Sequence, residues 1–327
     1  MNFFADVVSE LTLFFTKKNP DLKIDRFLPS IPFEILEYDD LAERNRKIIR
    51  YKASFLLDRL FTFNRKHISA NKRKVMVSKE LKRKLDLNDY AKFKAVIEKI
   101  KCDFENGVDL NGRLSKLADN PAKNDLMLFE WNMYHLHLGE RKEERKNGRN
   151  YYNRTGELLI VYIPDCEEEA YFVDITENHK NNPLAFSRQR YLDILNRNWP
   201  NLLSKFELPE AILEHQITDE ERTLLRKKHA CTLNSIGGKT YLNPGIGVTC
   251  AGTSIQILRR TDYLMEYIHE LELFYRNIQK RFIPKQIPEY LDFKLRFDEI
   301  NNCFFILKCA PRRGRKVVQT FLLNKWG

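Results

Sequence analysis

Near residue 120 the apolar residues change their spacing. Before it they recur every three or four positions, as Phe3, Val7, Val8, Leu11, Phe14 and Phe15 do, and then Ile48, Ile49, Leu56, Leu57 and Leu60. That period places them on single helical faces. From Asp125 to about Phe206 the pattern shortens to strand-length runs: "LMLFEWNMYHLHLG", "GELLIVYI" and "EEAYFVDIT". The last two are joined by the turn "PDCE" and read as a hairpin. A chain that does both in succession is neither all-α nor all-β, and the expected class is α+β. We divide it into a basic helical region, 1–118, a small antiparallel sheet domain, 119–206, and a mixed α+β region, 207–327, not sharply separated from the middle one.

Other elements follow from local signals. "SRQRYLDILNRNWPNLL" predicts a helix with Ser187 as N-cap, and Thr218 with Glu221 predicts a capping box. "TDYLMEYIHELELFYRNIQKRF" predicts an amphipathic helix, and "CFFILKC" with "VVQTFLL" predicts two strands around the basic turn "PRRGRK". The charged stretch "ERKEERKNGRNYYNRT" reads as a loop. "GGKT" at Gly237–Thr240 is not a phosphate-binding loop, because the position that should hold the first glycine is Leu233.

The charge is unevenly spread. The chain carries +11 overall, but residues 41–101 alone hold nineteen Lys and Arg against six Asp and Glu, a net +13. With a pI of about 9.2, this predicts a polyanionic partner, RNA or another nucleic acid, held by phosphate contacts. The candidate contacts are Lys72, Arg73, Lys74, Lys82, Arg83 and Lys84, with Arg312, Arg313 and Arg315 at the basic turn. No C-x-x-C pair occurs among the six cysteines, which removes the zinc-knuckle reading. The first residues lack the basic region of a secretion signal, and no apolar run approaches the ~20 residues of a membrane span. A cytoplasmic protein without a membrane partner is the expectation.

Only seven histidines are present, yet His135 and His137 stand one residue apart in an apolar run. In a strand, residues two apart share a face. His179 follows the third strand of the same region, so three imidazoles can converge. Such a cluster suits either a zinc site of three imidazoles and a water or metal-free acid–base catalysis near neutral pH. Arg154 and Arg188, close in sequence, can stabilise an anionic transition state.

At this point the residues carry a resemblance. The elements His135/His137, Leu158 to Tyr162, Ala170 to Ile175, Thr176-Glu177-Asn178-His179 and Phe186 resemble, over about 60 residues, the catalytic sheet of the RelE/YafQ-type bacterial toxins. The loop from Glu140 to Thr155 and the long flanking regions depart from that pattern. The resemblance implies a metal-independent endoribonuclease, without cofactor, that makes the RNA 2′-hydroxyl attack the adjacent phosphate. It implies His137 and His179 as general base and acid, in either order, His135 as an RNA-orienting or role-sharing group, and Arg154 and Arg188 at the phosphorane. A stress-response or antiphage toxin, acting at the ribosome and restrained by an antitoxin, is the biological setting it suggests. Two other readings fit the same residues: a non-catalytic nucleic-acid-binding regulator, and a metal-dependent hydrolase using the three histidines.

Overall fold

Leu158 to Ile163 and Ala170 to Thr176 are buried without interruption, the mark of strands covered on both faces. They form the centre of the main sheet. The computed structural model describes residues 1–18, 28, 30–144, 150–177, 180, 182–281, 292–310 and 314–322. Among these residues the chain is a mixed α+β protein.

In chain order the helices are α1 (Phe3–Lys18), α2 (Phe33–Leu36), α3 (Leu41–Lys66), α4 (Lys79–Leu85), α5 (Asn88–Ala91), α6 (Lys94–Asn106), α7 (Leu126–Trp131), α8 (Arg190–Asn198), α9 (Asn201–Ser204), α10 (Asp219–Lys227) and α11 (Ile255–Arg281). The strands are β1 (Lys74–Val77), β2 (Met133–His137), β3 (Lys142–Glu144), β4 (Asn150–Tyr152), β5 (Glu157–Tyr162), β6 (Glu169–Glu177), β7 (Asn234–Ile236), β8 (Lys239–Tyr241), β9 (Asp292–Asp298), β10 (Cys303–Ala310) and β11 (Gly314–Leu322). None of the described helices is long and apolar enough to cross a membrane.

Two compact units result. One is residues 63–255; the other joins residues 1–62 to 256–327. The sequence reading placed its cuts at 118/119 and 206/207. The difference arises because "KVMV", inside the region read as helical, is strand β1, and it pairs with β6.

The main sheet of the 63–255 unit has the order β1-β6-β5-β2. The expected β5–β6 hairpin is present and β2 pairs antiparallel with β5. The sheet is not purely antiparallel as expected, because β1 runs parallel to β6. Ser78 closes β1: its hydroxyl donates to the Val173 carbonyl at 2.6 Å and accepts from the Leu81 amide, capping α4.

The long first run is not one strand. Its first half is α7, N-capped by Asp125 and ended by Asn132 in the left-handed region, φ 56°. Ser187 is not a helix cap: it is buried, and α8 starts three residues later after Gln189. Pro200 separates α8 from α9. The 140–155 stretch contains the small β3–β4 ribbon. The capping box at Thr218 and Glu221 forms. "GG" is the two-residue turn between β7 and β8, with φ of 58° and 80° at Gly237 and Gly238, as a type I′ hairpin requires.

In the other unit, β9, β10 and β11 form an antiparallel meander. Phe3, Phe4, Val7, Leu11, Phe14 and Phe15 of α1 are buried, with Phe14 edge-on to Phe297 of β9 at 5.4 Å. The regular burial of Ile257, Leu264, Ile268, Leu271 and Tyr275 explains α11.

Candidate functional site

β2 is one of the two edge strands of the main sheet, and its register fixes where the histidines lie. His135 is opposite Ile160 and His137 opposite Leu158. Beyond them, Ile160 is opposite Asp174 and Leu158 opposite Thr176. Val161 pairs with Phe172, so Val173 is the extra residue of a β-bulge. The extra residue reverses the alternation of β6. Tyr171 on one side of the bulge and Asp174 and Thr176 on the other therefore share a face. That face also carries His135 and His137.

The two histidines have different surroundings. His137 is buried, 8% exposed. Burial, then the neighbouring His135, Arg154 and Lys116, pull its pKa down to about 4. The imidazole is neutral at physiological pH, below the near-neutral titration expected of free histidine. His135 is half-buried, its ring tilted on Phe186 at 4.7 Å between centroids. Its Nδ1 faces the Asp125 carboxylate at 3.7 Å. The Nδ1 atoms of both imidazoles are buried without a hydrogen bond.

Arg154 and Lys116 are exposed and add positive field at His137. Arg188 is half-buried beside Tyr191, whose phenol burial pushes up to about 12. His179 lies outside the described residues, as does the Asn178 before it. Among the described residues no three His, Cys, Asp or Glu side chains form a group able to hold a metal ion.

A buried polar lattice fixes the segment that covers His135. Arg226 donates to Glu130 at 2.7 Å and to the Phe186 carbonyl. Arg222, one turn earlier in α10, donates to Thr232, Asn234 and Gln189. Both guanidinium groups lie over the fully buried Trp131 ring, at 5.1 and 4.2 Å from its centre. Their attraction to the ring face offsets part of the cost of burying charge. Nothing in the spacing of Glu130 and Arg226 announces this pair, 96 residues apart.

The basic candidates divide. Lys72, Lys74, Lys82 and Arg83 are exposed. Arg73 is not: it is 3% exposed and donates to the Ser69 and Asn71 carbonyls, the Ser69 hydroxyl and Glu167. Lys84 is also committed, to Asp174 at 3.2 Å and the Ile175 carbonyl. Both are internal ties rather than phosphate contacts. Arg312 and Arg313 lie outside the described residues, and Arg315 is in β11 opposite Cys309.

Sequence reading missed Asp125 and Lys116. Asp125 had a legible signal, an N-capping type before an apolar run. Lys116 had none, since it reaches His137 only through the fold. Comparison with protein-family models, with curated proteins and with solved structures finds no match for the chain.

Proposed function

We propose that the protein is a metal-independent endoribonuclease of toxin type, serving stress response or antiphage defence. The observation that carries this reading is the pair His135 and His137 on one sheet face. Each has an unbonded buried Nδ1, and His137 lies in the positive field of Arg154 and Lys116. An imidazole whose Nδ1 has no internal partner, held neutral beside cations, is suited to take a proton from a 2′-hydroxyl next to a bound phosphate. His137 is the base in this scheme. The phosphate offsets the repulsion from Arg154 and Lys116 and raises the basicity of His137 as substrate binds. His179 returns a proton to the leaving 5′-oxygen, and His135 orients the RNA or shares the work of the base. Arg154, with Arg188 from the covering segment, stabilises the phosphorane.

RNA approaches over the exposed Lys72, Lys74, Lys82 and Arg83, with the ribosome as setting and an antitoxin as restraint. The product chemistry tests the scheme. Purified protein in EDTA should cut RNA to 2′,3′-cyclic phosphate ends and leave DNA of the same sequence intact, because DNA lacks the nucleophile. Metal-dependent cutting would move the reading to the hydrolase. The exposed lysines also favour a second reading, a nucleic-acid-binding regulator, for which RNA binding without any cleavage is the signature.

A further inference from the structure

We propose that Asp125 is a positioning residue for His135, keeping the imidazole proton on Nδ1 and leaving the Nε2 lone pair for proton transfer; the catalytic half of this inference rests on the endoribonuclease reading. The two carboxylate oxygens of Asp125 have separate tasks. Oδ1 accepts from the Leu128 amide at 3.1 Å as the N-cap of α7. That bond fixes the orientation of the carboxylate, and Oδ2 is left facing His135 Nδ1 at 3.7 Å.

The nitrogen is buried and has no hydrogen bond of its own. A ring nitrogen facing a carboxylate favours the form with a proton there, since a lone pair would be repelled. The tautomer of a histidine is set in this way by what its other nitrogen meets. At 3.7 Å the contact is electrostatic. Closing it by ~0.8 Å would make a hydrogen bond, a tightening that catalytic contacts commonly undergo when substrate binds.

Two further contacts restrict the ring. Phe186 packs on it with 38° between planes. Phe186 is itself held through its carbonyl by Arg226, whose charge is paired with buried Glu130. Among the described residues, the charged or titratable groups placed beside His135 are His137 on its own strand and Asp125 at the start of α7, while Arg154 and Lys116 act on His137.

The experiment uses the full chain, with nitrogen-15 NMR of the histidine rings and single-turnover RNA cleavage. Asp125→Asn keeps the helix cap, because Asn caps as well as Asp, but removes the charge and offers an amide donor. In the unaltered protein the His135 Nδ1 should show the protonated signature and Nε2 the unprotonated one. In Asp125→Asn the pattern should reverse, with cleavage falling roughly 10²–10⁴-fold at an unchanged unfolding midpoint. Asp125→Ser, which caps but is too short to face the ring, should lose rate similarly. An identical ring-nitrogen pattern in both proteins overturns the proposal. So does a reversed pattern with full cleavage activity. If the unaltered chain cuts no RNA, the endoribonuclease reading falls, while the ring-nitrogen signatures still decide whether Asp125 sets the tautomer.

Discussion

Arg113 donates to the carbonyl oxygen of His137 at 3.1 Å, and with its second bond, to Gly139 at 2.8 Å, it closes the outer edge of β2. The guanidinium is fully buried and lies 3.7 Å from the centre of the Tyr152 ring. It therefore satisfies two carbonyls where the site strand ends. Gly139 is required next to it: a Cβ there would stand 1.9 Å from the Asn153 carbonyl oxygen.

Arg113→Met keeps the unbranched stem of the side chain and removes its donors. Each buried carbonyl left unpaired should cost roughly 1–3 kcal/mol. Urea unfolding should show a lower midpoint at unchanged slope. An unchanged midpoint would mean that solvent already reaches these carbonyls.

The pH dependence of stability should carry opposite contributions from two groups. His137 falls from 6.5 to about 4 on folding. Between those values the unfolded chain holds the extra proton, so this contribution is present above about 6.5 and lost as pH falls through about 4. It amounts to roughly 3 kcal/mol across the window. His137→Gln should flatten that slope in residues 63–255.

Asp58, in the other unit, is raised from 3.8 to about 6, chiefly by burial. Its contribution is present below about 3.8 and lost as pH rises through about 6. Asp58→Asn retains an acceptor for the Thr261 hydroxyl, now at 2.5 Å, and should stabilise at pH 7 by ~2–3 kcal/mol. Chemical unfolding at pH 4.5 and pH 7, with both variants, measures the two slopes.

Nucleic-acid affinity should depend on the four exposed cations and not on the two internal ones. Reversing Lys72, Lys74, Lys82 and Arg83 to Glu should flatten the salt dependence of RNA binding, by about 0.7 in log K per log salt for each lost single-strand contact. Titrations at several salt concentrations check this. An unchanged slope would make these residues a solvated surface only. Arg73→Glu should instead lower stability, because it breaks four bonds made by a buried guanidinium.

What could be read in advance was local. Unbroken apolar runs gave β5 and β6, the Thr218 capping box gave α10, and the apolar period gave α1 and α11. The spacing of His135 and His137 gave their shared face. What failed to show was set by contacts distant in sequence. Strand β1 lies in a lysine-rich stretch, and its partner is 95 residues further along. Arg73 and Lys84 look like their exposed neighbours, and only the positions of Glu167 and Asp174 remove them from the surface. The split of "LMLFEWNMYHLHLG" was local but ambiguous: its apolar density suits strand and helix alike, and the capping residues Asp125 and Asn132 decide it. The strand β9 was legible in the alternation of "DFKLRFD" and went unread.

In the proposed reaction His137 performs proton transfer on RNA. The direct measurement is the single-turnover rate of RNA cleavage in EDTA by the unaltered chain and by His137→Gln, which fills the buried site without an ionisable ring. Cleavage by the first and a loss of roughly 10²–10⁴-fold in the second are expected, with both proteins folded by circular dichroism. An equal rate in the two proteins, or no cleavage by the folded unaltered chain, would contradict this role of His137.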